Sequence, residues 1–231
     1  MLSKNDIKLI KSLEHKKYRD KEGLFVAEGR KVVSELQKSF EMVAMYDDPA
    51  DVCRLSFLRH PQDVLAVFRI RKSASDVRPI HDASLAHRLL YIALDRVQDP
   101  GNLGTIIRVA DWFGVDTILC SEDTADVWNP KVVQATMGSL ARVEVRYVDL
   151  LSAIQEYEGP VYGTFLDGDN IYDTELSSNG IIVFGNEGNG ISPELREAIS
   201  RRLLIPATRE GAESLNVAVA TAITLAEFRR R

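Results

Sequence analysis

The stretch IIVFGNEGNGISPELREAISRRLLIPATREGAESLN, residues 181–216, decides how the rest of the chain is read. A short apolar run, residues 181–184, meets a loop in which Gly185, Gly188 and Gly190 are the small positions and Glu187 is the one charge. Ser192-Pro193-Glu194 then starts a helix. A second apolar run, residues 203–205, ends at Pro206, and a polar connection leads to Ser214, Leu215 and Asn216 at the mouth of a long C-terminal helix. Two strand ends thus deliver backbone-rich loops to one place, and in an open α/β sheet the carboxyl ends of strands are where ligands bind. The glycine order, G-x-x-G-x-G, is not the G-x-G-x-x-G of the dinucleotide fingerprint, and no lysine stands where a P-loop needs one. The glycines permit positive φ and close backbone approach to a ligand. Taken alone they fit a tight β-to-α turn equally well.

Upstream of this stretch the α/β alternation is regular. Residues 90–94 read as a strand, and Asp99-Pro100-Gly101-Asn102 as a tight turn opening a helix. That helix, over about 103–113, carries Leu103, Ile106, Ile107, Ala110 and Phe113 on one face and stops at Gly114. Strands are expected at 115–120, 143–147 and 161–166, with a helix from Asn129-Pro130 through about residue 140. Strands alternating with helices predict a parallel sheet covered on both faces.

The first seventy residues read as a smaller α/β unit. An amphipathic helix is expected over 3–13, strands at 24–28, 43–46 and 64–70, and a helix over 30–38 after Gly29. Lys16, Lys17, Tyr18 and Arg19 mix cations with an aromatic ring, which suits RNA phosphates and a stacked base; an exposed turn fits them as well. The pattern dissolves between residues 71 and 87, where a linker is expected, and His81 and His87 there have no partner at metal-ligand spacing. The domains are accordingly set at 1–75 and 89–231, with 76–88 as the linker.

Composition narrows the function classes. The 231 residues carry a net charge of −5, so the whole-molecule field does not announce a nucleic acid partner. Residues 1–40, however, hold ten Lys/Arg against six Asp/Glu, a basic face that could track phosphates. Cys53 and Cys120 are too few for a disulfide framework or a metal site, and both read as reduced, buried small hydrophobes. The polar N-terminus and the absence of any long apolar run point to a cytoplasmic protein with no membrane partner.

Three polar groups carry the chemistry. Asn102 stands at a helix entrance, and Arg108 lies off the apolar stripe of the same helix. Ser214 and Asn216 open the last helix, where Ser214 fits an N-cap and Asn216 is a mediocre first-turn residue with an amide that donates and accepts. The segments DPGNLGTIIRVADWFGV (99–115), IIVFGNEGNGIS (181–192) and LLIPATREGAESLNVAVA (203–220) closely resemble, in order and spacing, the three motifs of the SpoU/TrmH family. These are the RNA 2′-O-ribose methyltransferases of the SPOUT superfamily, and the match spans residues 89–231. KKYRDKEGLFVAEGRKVV (16–33) more loosely resembles the substrate-binding domain that precedes the catalytic domain in many members.

The resemblance implies a parallel sheet flanked by helices with a C-terminal deep trefoil knot, an exception to the rule against knots. It implies S-adenosylmethionine bound by backbone-rich loops at Gly185, Asn186, Gly190, Ile205, Ala207, Ser214 and Leu215, with Thr164 and Leu166 lining the same pocket. The connection 208–213 becomes part of the knotted wall. Arg108, Asn102, Glu187, Ser214 and Asn216 become the catalytic set, Arg108 either helping to remove the hydroxyl proton or binding the adjacent phosphate. A guanidinium pKa above about 12 makes the phosphate role physically cheaper. A homodimer acting on ribosomal or transfer RNA is implied, with the active site assembled across the interface and no metal. Val109 and Ala218 depart from the commoner pattern, which bears on substrate class rather than on chemistry. Two other readings compete: an inactive RNA-binding paralogue, expected to lose Asn102, Arg108, Glu187 or Asn216, and a nucleotide-dependent oxidoreductase, disfavoured by the glycine order.

Overall fold

A computed structural model describes residues 2–71, 89–209 and 214–230. The expected linker 76–88, with His81 and His87, lies outside the described residues, as does 210–213 of the expected wall. Along the chain the elements are α1 (Lys4–Ser12), α2 (Lys16–Glu22), β1 (Leu24–Glu28), α3 (Arg30–Leu36), β2 (Met42–Tyr46), α4 (Pro49–Leu55), β3 (Leu65–Arg69), β4 (Leu90–Leu94), α5 (Pro100–Trp112), β5 (Thr117–Cys120), α6 (Pro130–Ala135), a 3-10 turn (Ser139–Ala141), β6 (Glu144–Tyr147), α7 (Leu150–Gln155), β7 (Val161–Asn170), β8 (Gly180–Phe184), α8 (Pro193–Ala198), β9 (Arg201–Leu204) and α9 (Val217–Arg230).

The first of two compact units joins the described part of residues 1–77 to residues 126–142. Its antiparallel sheet runs β1-β3-β2, with Val26 opposite Val67 at its centre. One face buries Ile10, Leu13, Val52 and Leu55 from α1 and α4 against Val26 and Val67. Phe25, Phe40 and Trp128 form an aromatic cluster of the same unit, with Trp128 lying 4.7 Å from Phe25 and 5.7 Å from Phe40. Residues 126–142 thereby pack with the N-terminal part of the chain in this unit. α6 is shorter than expected. Thr136 turns its hydroxyl onto Val133 O at 2.7 Å, and Met137 and Gly138 follow at φ 53° and 95°, which no helix continues.

Arg19 also departs from expectation. Its side chain is only 2% exposed and its guanidinium donates to Asp126 Oδ2 at 2.5 Å and to the carbonyls of Leu13 and Glu14 at 2.6 and 2.7 Å. A cation consumed in this way is structural, so Arg19 leaves the RNA-facing cluster. Lys16 and Lys17 stay exposed on α2, with Lys17 Nζ 4.9 Å from the centre of the half-buried Tyr18 ring.

The second unit, the described part of residues 78–125 with 143–231, is built on a wholly parallel sheet of order β6-β5-β4-β8-β7-β9. β4 and β8 are buried along their whole length, which is why they read as unbroken apolar runs. Leu150 and Ile154 of α7 and Leu195 of α8 pack on one face with Ala93, Leu119, Ile181 and Val183. α9 packs on α5, and Phe228 meets Tyr162 of β7 edge-on at 5.0 Å. α4 and α7 were not expected; each is short and begins on an aspartate cap, Asp48 or Asp149.

β7 runs four residues beyond the expected end, and it bulges. Thr164 and Asp169 both register with Leu203, so residues 165–168 leave the ladder. The bulge carries Phe165 against Arg196 and Arg202, whose guanidinium carbons lie 4.8 and 5.3 Å from the ring centre, and leaves Leu166 77% exposed.

Candidate active site

The carboxyl ends of β4 and β8 carry the two polypeptide segments that meet. After β4, Asp99 caps α5 by accepting from Asn102 N at 2.8 Å, with Pro100 in the first turn. The expected tight turn 99–102 is therefore the first turn of the helix. Because Asp99 does the capping, the Asn102 side chain is released for other use.

After β8 the chain closes a small loop on itself. Asn186 and Gly190 exchange backbone hydrogen bonds of 3.0 and 2.9 Å, N–H to carbonyl in both directions. Gly190 has φ 68°, and a Cβ on Gly185 would stand 2.1 Å from Gly190 C. Only glycine permits that closure at residue 185. Inside the loop, Asn186 Oδ1 accepts from Gly188 N and Asn189 N, both at 3.0 Å. This ties down the peptide units beside Glu187 and leaves its carboxylate exposed.

The third segment arrives with α9. Asn216 Oδ1 accepts from Ala218 N at 2.9 Å and Val219 N at 3.3 Å, so Asn216 is itself the helix cap, the role the sequence reading offered to Ser214. The other end of the same amide stays available, and it donates from Nδ2 to Asn102 Oδ1 at 2.9 Å. Asn102 Nδ2 in turn donates to Glu187 Oε1 at 2.8 Å. Three side chains separated by 85 and 114 residues in sequence thus form one directional chain, Asn216 to Asn102 to Glu187, ending on a carboxylate.

Other expected residues stand nearby without joining this chain. Ser214 is exposed and has no hydrogen bond among the described residues. Arg108 is exposed on α5 and makes no hydrogen bond or ion pair among the described residues. It lies six residues past Asn102, about 9 Å along the axis and roughly 120° around it. Trp112, one turn further on the same face, is 85% exposed.

The segments expected to hold a cofactor combine loop backbone with exposed apolar side chains. Gly185, Asn186 and Gly190 present backbone with little side-chain obstruction. Leu166 at 77% and Leu215 at 49% leave apolar surface to solvent. Ile205 and Ala207 follow β9 directly, half-buried and exposed, and Thr164 is half-buried on the edge of the β7 bulge.

Sequence reasoning missed Asp95 and Arg96. Asp95 is 3% exposed, accepting from Ser192 N at 2.6 Å and from Arg96 Nε at 3.1 Å. Arg96 has φ 56°, and its carbonyl accepts from Asn186 Nδ2 at 2.8 Å. Two charged residues directly after a wholly apolar strand were the available signal.

Comparison with known proteins agrees with this geometry. Residues 89–226 match the SpoU rRNA Methylase family, and residues 4–49 match the MRM3-like substrate binding domain. The chain is 32% identical over 233 residues to the 23S rRNA (guanosine(2553)-2′-O)-methyltransferase RlmP of Bacillus subtilis, covering 95% of this chain and 94% of that one. Among solved structures, a Porphyromonas gingivalis protein assigned to the TrmH family of RNA methyltransferases superposes with a TM-score of 0.87 at 40% identity, over 100% of this chain and 99% of that one. An AdoMet-bound rRNA methyltransferase from Sinorhizobium meliloti gives 0.87 at 29% identity, over 100% and 97%. With the three motif segments converging on one carboxylate and a family match over residues 89–226, the chain belongs to the SpoU rRNA methylase family.

Proposed function

We propose that this protein transfers a methyl group from S-adenosylmethionine to a ribose 2′-hydroxyl of ribosomal RNA, working as a homodimer. The observation that carries the reading is the Asn216–Asn102–Glu187 chain, which ends in the loop at 185–190 that Asn186 and Gly190 close. Ribosomal RNA is preferred over transfer RNA because the likeness to RlmP runs the length of both chains. Lys16, Lys17 and Tyr18 on α2 supply cations and a ring that suit RNA backbone and base.

The cofactor would supply an electrophilic methyl on a sulfonium that leaves as a neutral thioether. Most of the acceleration that remains for the protein is alignment. Glu187 is exposed; its Oε1 is occupied by Asn102, while among the described residues Oε2 carries only the long 3.4 Å bond from Asn186, a fitting acceptor for a ribose hydroxyl. The two asparagines hold that carboxylate at one angle. Arg108 serves as a phosphate clamp, since a guanidinium stays protonated and its fork matches phosphate oxygens. Its position off the Asn102 face, with the exposed Trp112 one turn away, supports a site completed by a second copy of the chain.

The trefoil knot belongs to the same reading. β9 is the edge strand beyond β7 and β8, yet Asn216, twelve residues after Leu204, hydrogen-bonds to Asn102 in the first turn of α5, the helix that follows β4. The connection from β9 to α9 thus starts at the sheet edge and ends beside the segment that follows β4, which suits a threaded path.

The test has two parts. Ribose methylation mapped over total RNA from cells with and without the gene should lose one position; an unchanged map would refute the assignment. Calorimetry should give binding of S-adenosylmethionine and none of NAD, and preference for NAD would overturn the methyltransferase reading. The second reading, an RNA-binding paralogue without activity, is disfavoured because Asn102, Glu187 and Asn216 are present and bonded to one another.

A further inference from the structure

We propose that Asp95, with the left-handed Arg96 beside it, is a positioning residue for Glu187. The inference rests on Glu187 facing the substrate, as set out above. Asp95 holds the Glu187 loop at both of its roots. Its backbone N–H donates to Phe184 O at 2.9 Å, immediately before the loop begins. Its carboxylate Oδ2 accepts from Ser192 N at 2.6 Å, where the loop ends and α8 begins. One residue thus staples entrance and exit of an eight-residue excursion.

Arg96 controls the middle. A non-glycine residue at φ 56° is held there against its own preference. Two bonds hold it: Arg96 N donates to Ser121 Oγ at 2.9 Å, and Arg96 Nε to Asp95 Oδ1 at 3.1 Å. The gain is a carbonyl aimed at Asn186 Nδ2, 2.8 Å away, and Asn186 Oδ1 then grips Gly188 N and Asn189 N. The peptide units flanking Glu187 are fixed through Arg96, and Arg96 is fixed through Asp95. Burying a carboxylate is costly, and Asp95 is 3% exposed. It accepts from a backbone N–H and from a guanidinium with different oxygens, a task that an asparagine with its single acceptor oxygen cannot fully perform.

The experiment uses the full-length protein in single-turnover methyl transfer at saturating S-adenosylmethionine and RNA. Asp95→Ala and Asp95→Asn are each measured alone and in a Glu187→Gln background, beside Arg96→Ala and Arg96→Gly. The expected losses are about thirtyfold for Asp95→Ala and about fivefold for Asp95→Asn, both shrinking to less than about threefold once Glu187 is Gln. Arg96→Gly, which adopts the left-handed turn freely, should be about tenfold faster than Arg96→Ala. Hydrogen exchange gives a reading independent of turnover. In Asp95→Asn, the amides of Gly188 and Asn189 should exchange at least about tenfold faster while those of β4 and β8 do not change. Equal losses in both backgrounds, equal rates for the two Arg96 variants, or a uniform rise in exchange would make Asp95 merely structural and overturn the proposal. A Glu187→Gln protein with the parent rate would instead refute the active-site reading itself. If Asp95→Ala fails to fold, Asp95→Asn and the Arg96 pair still decide.

Discussion

Replacing Gly185 by alanine tests whether the loop at 185–190 is a cradle or a simple turn. The added Cβ would lie 2.1 Å from Gly190 C, 2.2 Å from Ile191 N and 2.5 Å from Gly190 O. All three are backbone atoms, so no side chain can swing away. Ordinary contact begins at 3.4 Å, so the loop must open by about 1.3 Å. The two bonds between Asn186 and Gly190, now 3.0 and 2.9 Å, would then exceed hydrogen-bond range. Two lost bonds cost about 2 kcal/mol and overpacking about 1–3 kcal/mol more. If donor binding requires the closed loop, that sum weakens S-adenosylmethionine binding by about a hundredfold or more, each 1.4 kcal/mol being about a factor of ten. Gly188→Ala is the control, because its nearest neighbour would be Asn186 Oδ1 at 3.6 Å. It should bind within about twofold of the parent by calorimetry. A Gly185→Ala protein that binds within about threefold of the parent would refute the role given to the loop.

Four other outcomes follow from the same coordinates. Arg108→Ala should abolish methyl transfer in a radiolabelled assay while leaving cofactor affinity nearly intact, and parent turnover would exclude a role in the reaction. Asn216→Asp keeps an oxygen for the α9 cap but sets a carboxylate against Asn102 Oδ1. Its stability should stay within about 0.5 kcal/mol while turnover falls by about tenfold or more; unchanged turnover would show that the amide chain is ornamental. Arg19→Ala should cost about 3–5 kcal/mol in urea unfolding because it strands the partly buried Asp126 carboxylate, and a loss under about 1 kcal/mol would contradict the structural assignment. Burial pushes the Cys120 thiol well above its ordinary range whereas Cys53, contrary to the expectation of burial, is exposed, so a thiol reagent at pH 8 should modify one cysteine of the native protein and both after denaturation.

The sheet of the second unit was legible because burial on both faces writes itself into composition. β4 was read at 90–94 as found, and β8 within one residue at 181–184. Elements with one wet face or few residues were harder. α4 and α7 offer only six or seven positions, too few for a helical period to stand out, and the capping residues, Asp48 with Pro49 and Asp149, were the available signal. The packing partners of residues 126–142 could not be read at all. Trp128 and Asp126 look like any loop residues until Phe25, Phe40 and Arg19 are seen around them, more than eighty residues away in the chain.

The site shows the same division between residue type and partner. Asn102 and Asn216 stand out at helix entrances and Glu187 as the one charge of its loop, but it is the resemblance of the three motifs to the SpoU/TrmH family that groups them as a site. Their order in one chain could not be read, since it depends on which atom each amide spends on capping. Asp99 takes the cap of α5 and so frees Asn102 entirely, whereas Asn216 must cap α9 with Oδ1 and has only Nδ2 left to give. That allocation fixes the direction of donation toward Glu187 and leaves the carboxylate as the terminal acceptor. Arg19 fails for the complementary reason: the cluster Lys16 to Arg19 reads as uniformly basic, but on a helix residue 19 faces about 60° from residue 16 and inward, where Leu13 O, Glu14 O and Asp126 were waiting for a donor. Charge alone therefore marks where a nucleic acid could lie, and only the hydrogen-bond allocation separates the cations that can reach it from the one that holds the domain together.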